Sequence, residues 1–167
     1  MYLKPDEVDI NEPPTIVKSM KNSERSKSGA VNVMPDVESE ETIEKKKGIT
    51  FFTPDDSTQQ FGYMKHNKNY IIKPHLHKKR KTKILFTTEV ILILKGILRV
   101  DFYDFKKKYL FSKKIKEKDI IMLVHGGHGF KVIKNVEMIE IKQGPYSLIK
   151  DKIKFDNVED KKIKIKK

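Results

Sequence analysis

The chain contains no cysteine and no tryptophan. Without cysteine there is neither a disulfide framework nor a thiolate metal site, so any metal must be held by nitrogen and oxygen donors. Long apolar runs are missing as well, and no stretch approaches the roughly 20 residues that span a bilayer as a helix. The start, "MYLKPDEVDINEPPTIV", has charges and prolines where a secretory leader needs a basic start and an apolar run. These absences lead to the expectation of a cytoplasmic protein without a membrane partner. At 167 residues the chain has room for one domain with a real core, plus tails.

What is abundant is positive charge, a formal net of +13. It is unevenly placed. Residues 1–50 carry 8 Lys+Arg against 10 Asp+Glu, which leaves 28 against 13 for residues 51–167. Most of the excess is lysine scattered over loops and strand ends, with no recognisable nucleic-acid motif, so it reads as a solvated basic surface and no nucleic-acid partner is expected. The densest patch, "KKRKTK" at residues 78–83, is either a solvated loop or a steering surface for an anionic substrate such as a nucleotide-sugar.

Residues 1–48 are rich in Pro, Ser, Glu and Lys without a sustained period of 2 or 3.6, as expected of a flexible or loosely docked arm. Within it, Ile16-Val17 and Val31 to Met34 are short enough to add only an edge strand or to reach a second subunit. From Ile49 onward, apolar runs recur about every ten residues between turn-like or charged clusters, the pattern of an all-β sandwich or barrel. The runs are "ITFFT", "QFGYM", "NYIIKPHLH", "EVILILKG", "ILRVDFYDF", "YLFSKKI", "DIIMLV", "HGFKVI" and "VEMIEIKQG". No helical crossover fits between them, so antiparallel neighbours are expected. Residues 147–167 form a basic C-terminal piece, read as a solvated tail rather than a terminal strand.

Alternation along a strand places His75 and His77 on one face, two steps apart, so both imidazoles reach one point. Glu89 opens the next apolar run, and "VHGGHGF" supplies His125 and His128 around a glycine pair. Three or four N/O donors from separate strands make a divalent-metal site for Zn, Fe, Mn or Ni. On "ILRVDFYDF", parity sends Leu98, Val100 and Phe102 to the core and Arg99, Asp101 and Tyr103 to the opposite face. Asp101 reads as solvated there, and Arg99 is either solvated or a substrate contact. Gln59 and Tyr63 on "STQQFGYM" are candidates for sugar recognition, or equally a half-buried strand face. Glu140 in "EIKQGPY" is either an edge acid or a pocket acid.

Together, "PHLH", "EVILILKG" and "HGGHGF" resemble the cupin superfamily, whose first motif has His-x-His, then Glu, six residues and Gly; Glu89 to Gly96 has that last spacing. The resemblance covers about residues 49–146. It implies a single antiparallel cupin β-barrel of jelly-roll type, with His75, His77, Glu89 and His128 as metal ligands. The segments "QQFGYM", "VDFYD", "GGHGF" and "EIKQGPY" are similar to those of small bacterial cupins associated with surface-polysaccharide genes. That implies a sugar or nucleotide-sugar ligand and isomerase- or epimerase-like chemistry, with His125 or Glu140 carrying the proton, or else a non-catalytic carbohydrate-binding cupin. The chain departs from the family in two places. Eleven residues separate His77 from Glu89, where the family has a few. In the second motif the expected Gly, Pro, Gly and Asn fall on Glu117, Leu123, His125 and Val132. An apolar outer face such as "VILIL" also needs covering, which leads to the expectation of a homodimer.

Overall fold

The computed structural model describes residues 15–19, 29–32, 40–42, 47–145 and 151–166. The remainder of the N-terminal arm and residues 146–150, including Tyr146, lie outside the described residues. Nine strands are described: β1 Thr15–Ser19, β2 Gly29–Asn32, β3 Glu40–Thr42, β4 Gly48–Phe51, β5 Gly62–Lys65, β6 Glu89–Tyr103, β7 Tyr109–Lys116, β8 Asp119–Leu123 and β9 Gly127–Lys142. The one helical element among the described residues is a 3₁₀ turn, Asp160–Lys162. The chain is therefore all-β, and every strand ladder is antiparallel. Among the described residues, no helix is long and apolar enough to cross a membrane.

β6 organises the larger sheet. β9 pairs with it along nearly its whole length, from Glu89 opposite Lys142 to Tyr103 opposite Gly127. The other edge is shared: β8 pairs with residues 89–92 and β7 with residues 97–103. β1 adds to β8, and β2 and β3 follow outward, so three short pieces of the arm extend the sheet. β4 and β5 form a separate hairpin.

"EVILILKG" and "ILRVDFYDF" read as two strands, and likewise "HGFKVI" and "VEMIEIKQG". In the structure each pair is one long strand that bends. The ladder shifts register three times between Ile93 and Leu98, around Gly96 at φ +91°. The inward parity changes across that point. Ile91 and Ile93 face the core before it, and Leu98, Val100 and Phe102 after it, which is the effect of bulges. The ladder consequently folds over on itself, and Phe111, Ile115, Ile121 and Leu123 complete the core between its halves. The opposite face of the β8 end, Val90 and Met122, is covered by Phe52 and Phe61 of the β4–β5 hairpin.

Two expectations about solvation are corrected. Arg99 and Asp101 do occupy the face away from the core, but both are buried, because the C-terminal residues 155–166 lie over them. Asp160 accepts a hydrogen bond from Arg99 Nη1 (3.0 Å), Val158 N–H donates to the Tyr103 hydroxyl (3.0 Å), and Ile165 bridges to Ser112 beside β7. The C-terminal piece is thus a docked strap, at least over residues 151–166. The second correction concerns "NYIIKPHLH", which forms no strand: residues 66–84 run without regular structure, and Ile71 (77%) and Leu76 (96%) are exposed. β-branched residues favour extended backbone, but a strand needs a partner, and none is paired with them among the described residues.

Candidate functional site

Folding the β6–β9 ladder over brings its two ends together. His128 stands opposite Phe102 in the register, thirteen residues from Glu89, a separation of about 43 Å along a straight strand. In the folded ladder, His128 Nε2 lies 3.0 Å from Glu89 Oε2. Glu89 is buried, and Lys152 from the strap reaches its other oxygen at 3.4 Å. The close approach of the His128 imidazole outweighs the opposing effect of burial, with further help from the Lys152 cation, and holds the Glu89 carboxyl at about 2, below its ordinary 4.5.

Local polar contacts fix the entry to β6. Thr88 N–H donates to Gln143 Oε1 (2.7 Å), Gln143 Nε2 donates to the Thr88 hydroxyl (2.6 Å), and that hydroxyl donates to Gln59 Oε1 (2.5 Å). Gln59 therefore supports the backbone beside Glu89. Of its two readings, sugar contact or a half-buried face, the structure shows it half-buried with its amide oxygen engaged by Thr88.

Around this pair opens a pocket of about 610 Å³, within the range of small-molecule sites. Glu89, His125 and His128 line it, Phe86, Tyr103, Phe105 and Phe155 supply aromatic walls, and Lys142, Lys152 and Lys154 supply cations. His125 packs its ring against Phe86 and Phe105 at 5.7 and 5.6 Å, and its Nδ1 is buried without a hydrogen-bond partner. Burial lowers its pKa from 6.5 to about 4, so the ring is neutral at pH 7. Glu89 Oε2 likewise has no aligned hydrogen-bond donor despite the approach of His128. Two buried, under-satisfied polar atoms in one pocket mark a place for a ligand or ion.

The structure brings together Glu89, His125 and His128. His75 and His77 stand apart from them on the exposed segment, with their rings 5.1 Å from each other. They do not line the pocket, and among the described residues no group of three or more His, Asp or Glu side chains is close enough to hold a metal. The other candidates also fall elsewhere. Glu140 is exposed opposite Ile91 and does not line this pocket, Tyr63 is half-buried in the hairpin, and Arg99 is engaged by Asp101 and Asp160. Lys152 is the contact that sequence reading missed, because a lysine in a basic tail carries no local signal of docking. Searches against family models, curated proteins and solved structures return no match to this chain.

Acidification is expected to destabilise the chelated protein in two windows. The unfolded chain protonates His125 at 6.5 and the folded one only near 4, so stability is full above pH 6.5 and falls down to pH 4. For Glu89 the unfolded group protonates at 4.5 and the folded one near 2, so its contribution is present above pH 4.5 and lost towards pH 2. Each window carries on the order of 2–3 kcal/mol. Urea unfolding across pH checks this: His125→Asn should flatten the upper window and Glu89→Gln the lower. An unchanged slope in either variant rejects that assignment.

Proposed function

We propose that the chain is a cupin-type metal-binding protein acting on a sugar or nucleotide-sugar, with isomerase- or epimerase-like chemistry in polysaccharide synthesis. The contact between Glu89 and His128 carries the reading, because it places a buried carboxylate and an imidazole at one point of an aromatic, lysine-rimmed pocket. Two donors do not hold a catalytic ion, and three or more do. The missing donors are His75 and His77, already a pair on one segment. β9 has an unpaired edge among the described residues, and the run 69–77, laid along it as a strand, would close the open sheet towards a barrel and carry both imidazoles to the pocket.

The donor set suits Zn, Fe, Mn or Ni, and such an ion supplies a Lewis acid that polarises a carbonyl oxygen. The chain's own groups do the rest. Neutral His125 is placed to accept a proton at its buried nitrogen, Lys152 and Lys154 offer charge to an anionic ligand, and the phenylalanines give the ligand apolar walls. A homodimer belongs to the same reading, since the unpaired edge of β9 requires cover.

The test is metal content. The purified protein is expected to hold about one divalent ion per chain, and the His75→Ala, His77→Ala double variant to lose at least tenfold of it. Full metal content in that variant overturns the ligand set. A second reading is favoured by Lys152, which compensates Glu89 without an ion. In it the pocket is a non-catalytic carbohydrate site, and sugar binding persists in a chelator.

A further inference from the structure

We propose that the strand completing β9 comes from a second copy of the chain, so that the metal site proposed above is composite: His75 and His77 from one subunit, Glu89 and His128 from the other. The inference rests on that reading for its metal, and on three observations for its geometry.

The first is a matched pair of unsatisfied surfaces. β9 runs sixteen residues with a neighbour on one edge only among the described residues. It exposes Val132 (58%), Ile141 (55%), Ile133 and Ile139. An apolar edge of that length recruits a strand. The run 69–77 forms no strand ladder among the described residues, and its large apolar side chains Tyr70, Ile71, Ile72 and Leu76 are exposed.

The second is the anchoring of the chain just after the run. Phe86 packs against Phe105 and His125 at 5.5 and 5.7 Å, and Leu85, Phe86 and Thr87 line the pocket. Of the eleven residues between His77 and Glu89, only 78–84 are left to connect the run to the body, a reach of at most about 24 Å.

The third is the composition of that connection. "KKRKTKI" has five cations in seven residues and no glycine, proline, asparagine or aspartate. A run laid on its own β9 would have to be returned to Leu85 by this segment alone. Like charges extend a linker, and the residues that make tight turns are absent. A stiff, extended connection delivers the run outward to a second copy. A two-fold axis then lets each subunit give one run and receive one, so that the β9 edge of both copies is covered in the same way.

Two measurements on the full chain test this. Normal and ¹⁵N-labelled protein are mixed, unfolded and refolded, then cross-linked at lysine. Links from Lys73, Lys78 or Lys79 to Lys131 or Lys134 are expected to include mixed-isotope pairs, about half of the total at equal mixing. Links confined to one isotope, or a monomeric mass in solution, overturn the exchange whether or not metal is present. The second measurement co-expresses His75→Ala, His77→Ala chains with Glu89→Gln, His128→Ala chains under two tags. Each variant alone is expected to be metal-poor, and the doubly purified heterodimer to hold about one ion, half the wild-type content. Wild-type metal with an empty heterodimer places the run on its own core and overturns the exchange while keeping the metal reading. Metal-free wild type overturns the metal reading, and the cross-links still decide the exchange.

Discussion

Gly96→Ala is expected to abolish the fold. A Cβ built on Gly96 stands 1.9 Å from the Asn135 carbonyl oxygen and 2.5 Å from that of Lys134. Both are backbone atoms of β9, so neither can rotate away. The residue also sits at φ +91°, a conformation that L side chains rarely adopt. Relief requires β6 and β9 to separate at the point where the ladder folds over, and the core of Ile91, Ile93, Leu98, Val100 and Phe102 depends on that fold. The loss is about 5 kcal/mol or more, comparable with the whole stability of a domain of this size. Gly48→Ala is the control. Its φ of +108° imposes strain, but nothing lies within 4 Å of the new methyl, so the loss is about 1–2 kcal/mol. Thermal unfolding separates the two: Gly48→Ala melts several degrees below wild type, and Gly96→Ala shows no cooperative transition at all. A Gly96→Ala protein melting near wild type would mean that the two strands do not approach as described.

The same glycine shows where sequence reading ends. Alternation in "EVILILKG" and "ILRVDFYDF" located both halves of β6 and the inward residues Leu98, Val100 and Phe102, because side-chain parity is a local property. A glycine between two apolar runs reads as a boundary. Whether it ends a strand or bends it depends on what lies across from it, and Asn135 is 39 residues away. Pairing is non-local throughout. "NYIIKPHLH" has the residues of a strand and lacks a partner in the chain as described, and Arg99 and Asp101 have the residues of a wet face and are covered by a strap some sixty residues later. Of the candidate site, Glu89 and His128 are in contact. Their places at strand ends mark both as donors, but which donors meet depends on how the ladder folds over, and that is not local in the sequence.

The covered face carries the second large effect. Arg99 donates from Nε and Nη2 to the two oxygens of Asp101, at 2.8 and 3.0 Å, and Ser112 donates to Asp101 Oδ1 at 2.5 Å. Both side chains are less than a tenth exposed. Asp101→Ala leaves a buried guanidinium facing one remaining carboxylate, Asp160, whose own side chain is largely in solvent. Breaking one side of a buried pair costs about 3 kcal/mol or more, because the surviving charge stays desolvated. Removing both charges is a different matter. Arg99→Met with Asp101→Leu keeps the volume apolar and is expected to recover most of the loss, giving a coupling of about 2 kcal/mol or more in a double-mutant cycle. The strap makes the cycle specific. Arg99 also holds Asp160, so the double variant should regain stability while residues 155–166 lose amide protection in hydrogen exchange. A double variant as unstable as Asp101→Ala, or one with full protection in the strap, would place the buried pair outside both roles. If stability returns and protection does not, the Arg99–Asp101 pair exists to dock the strap, and with it Lys152 against Glu89, rather than to hold the sheet together.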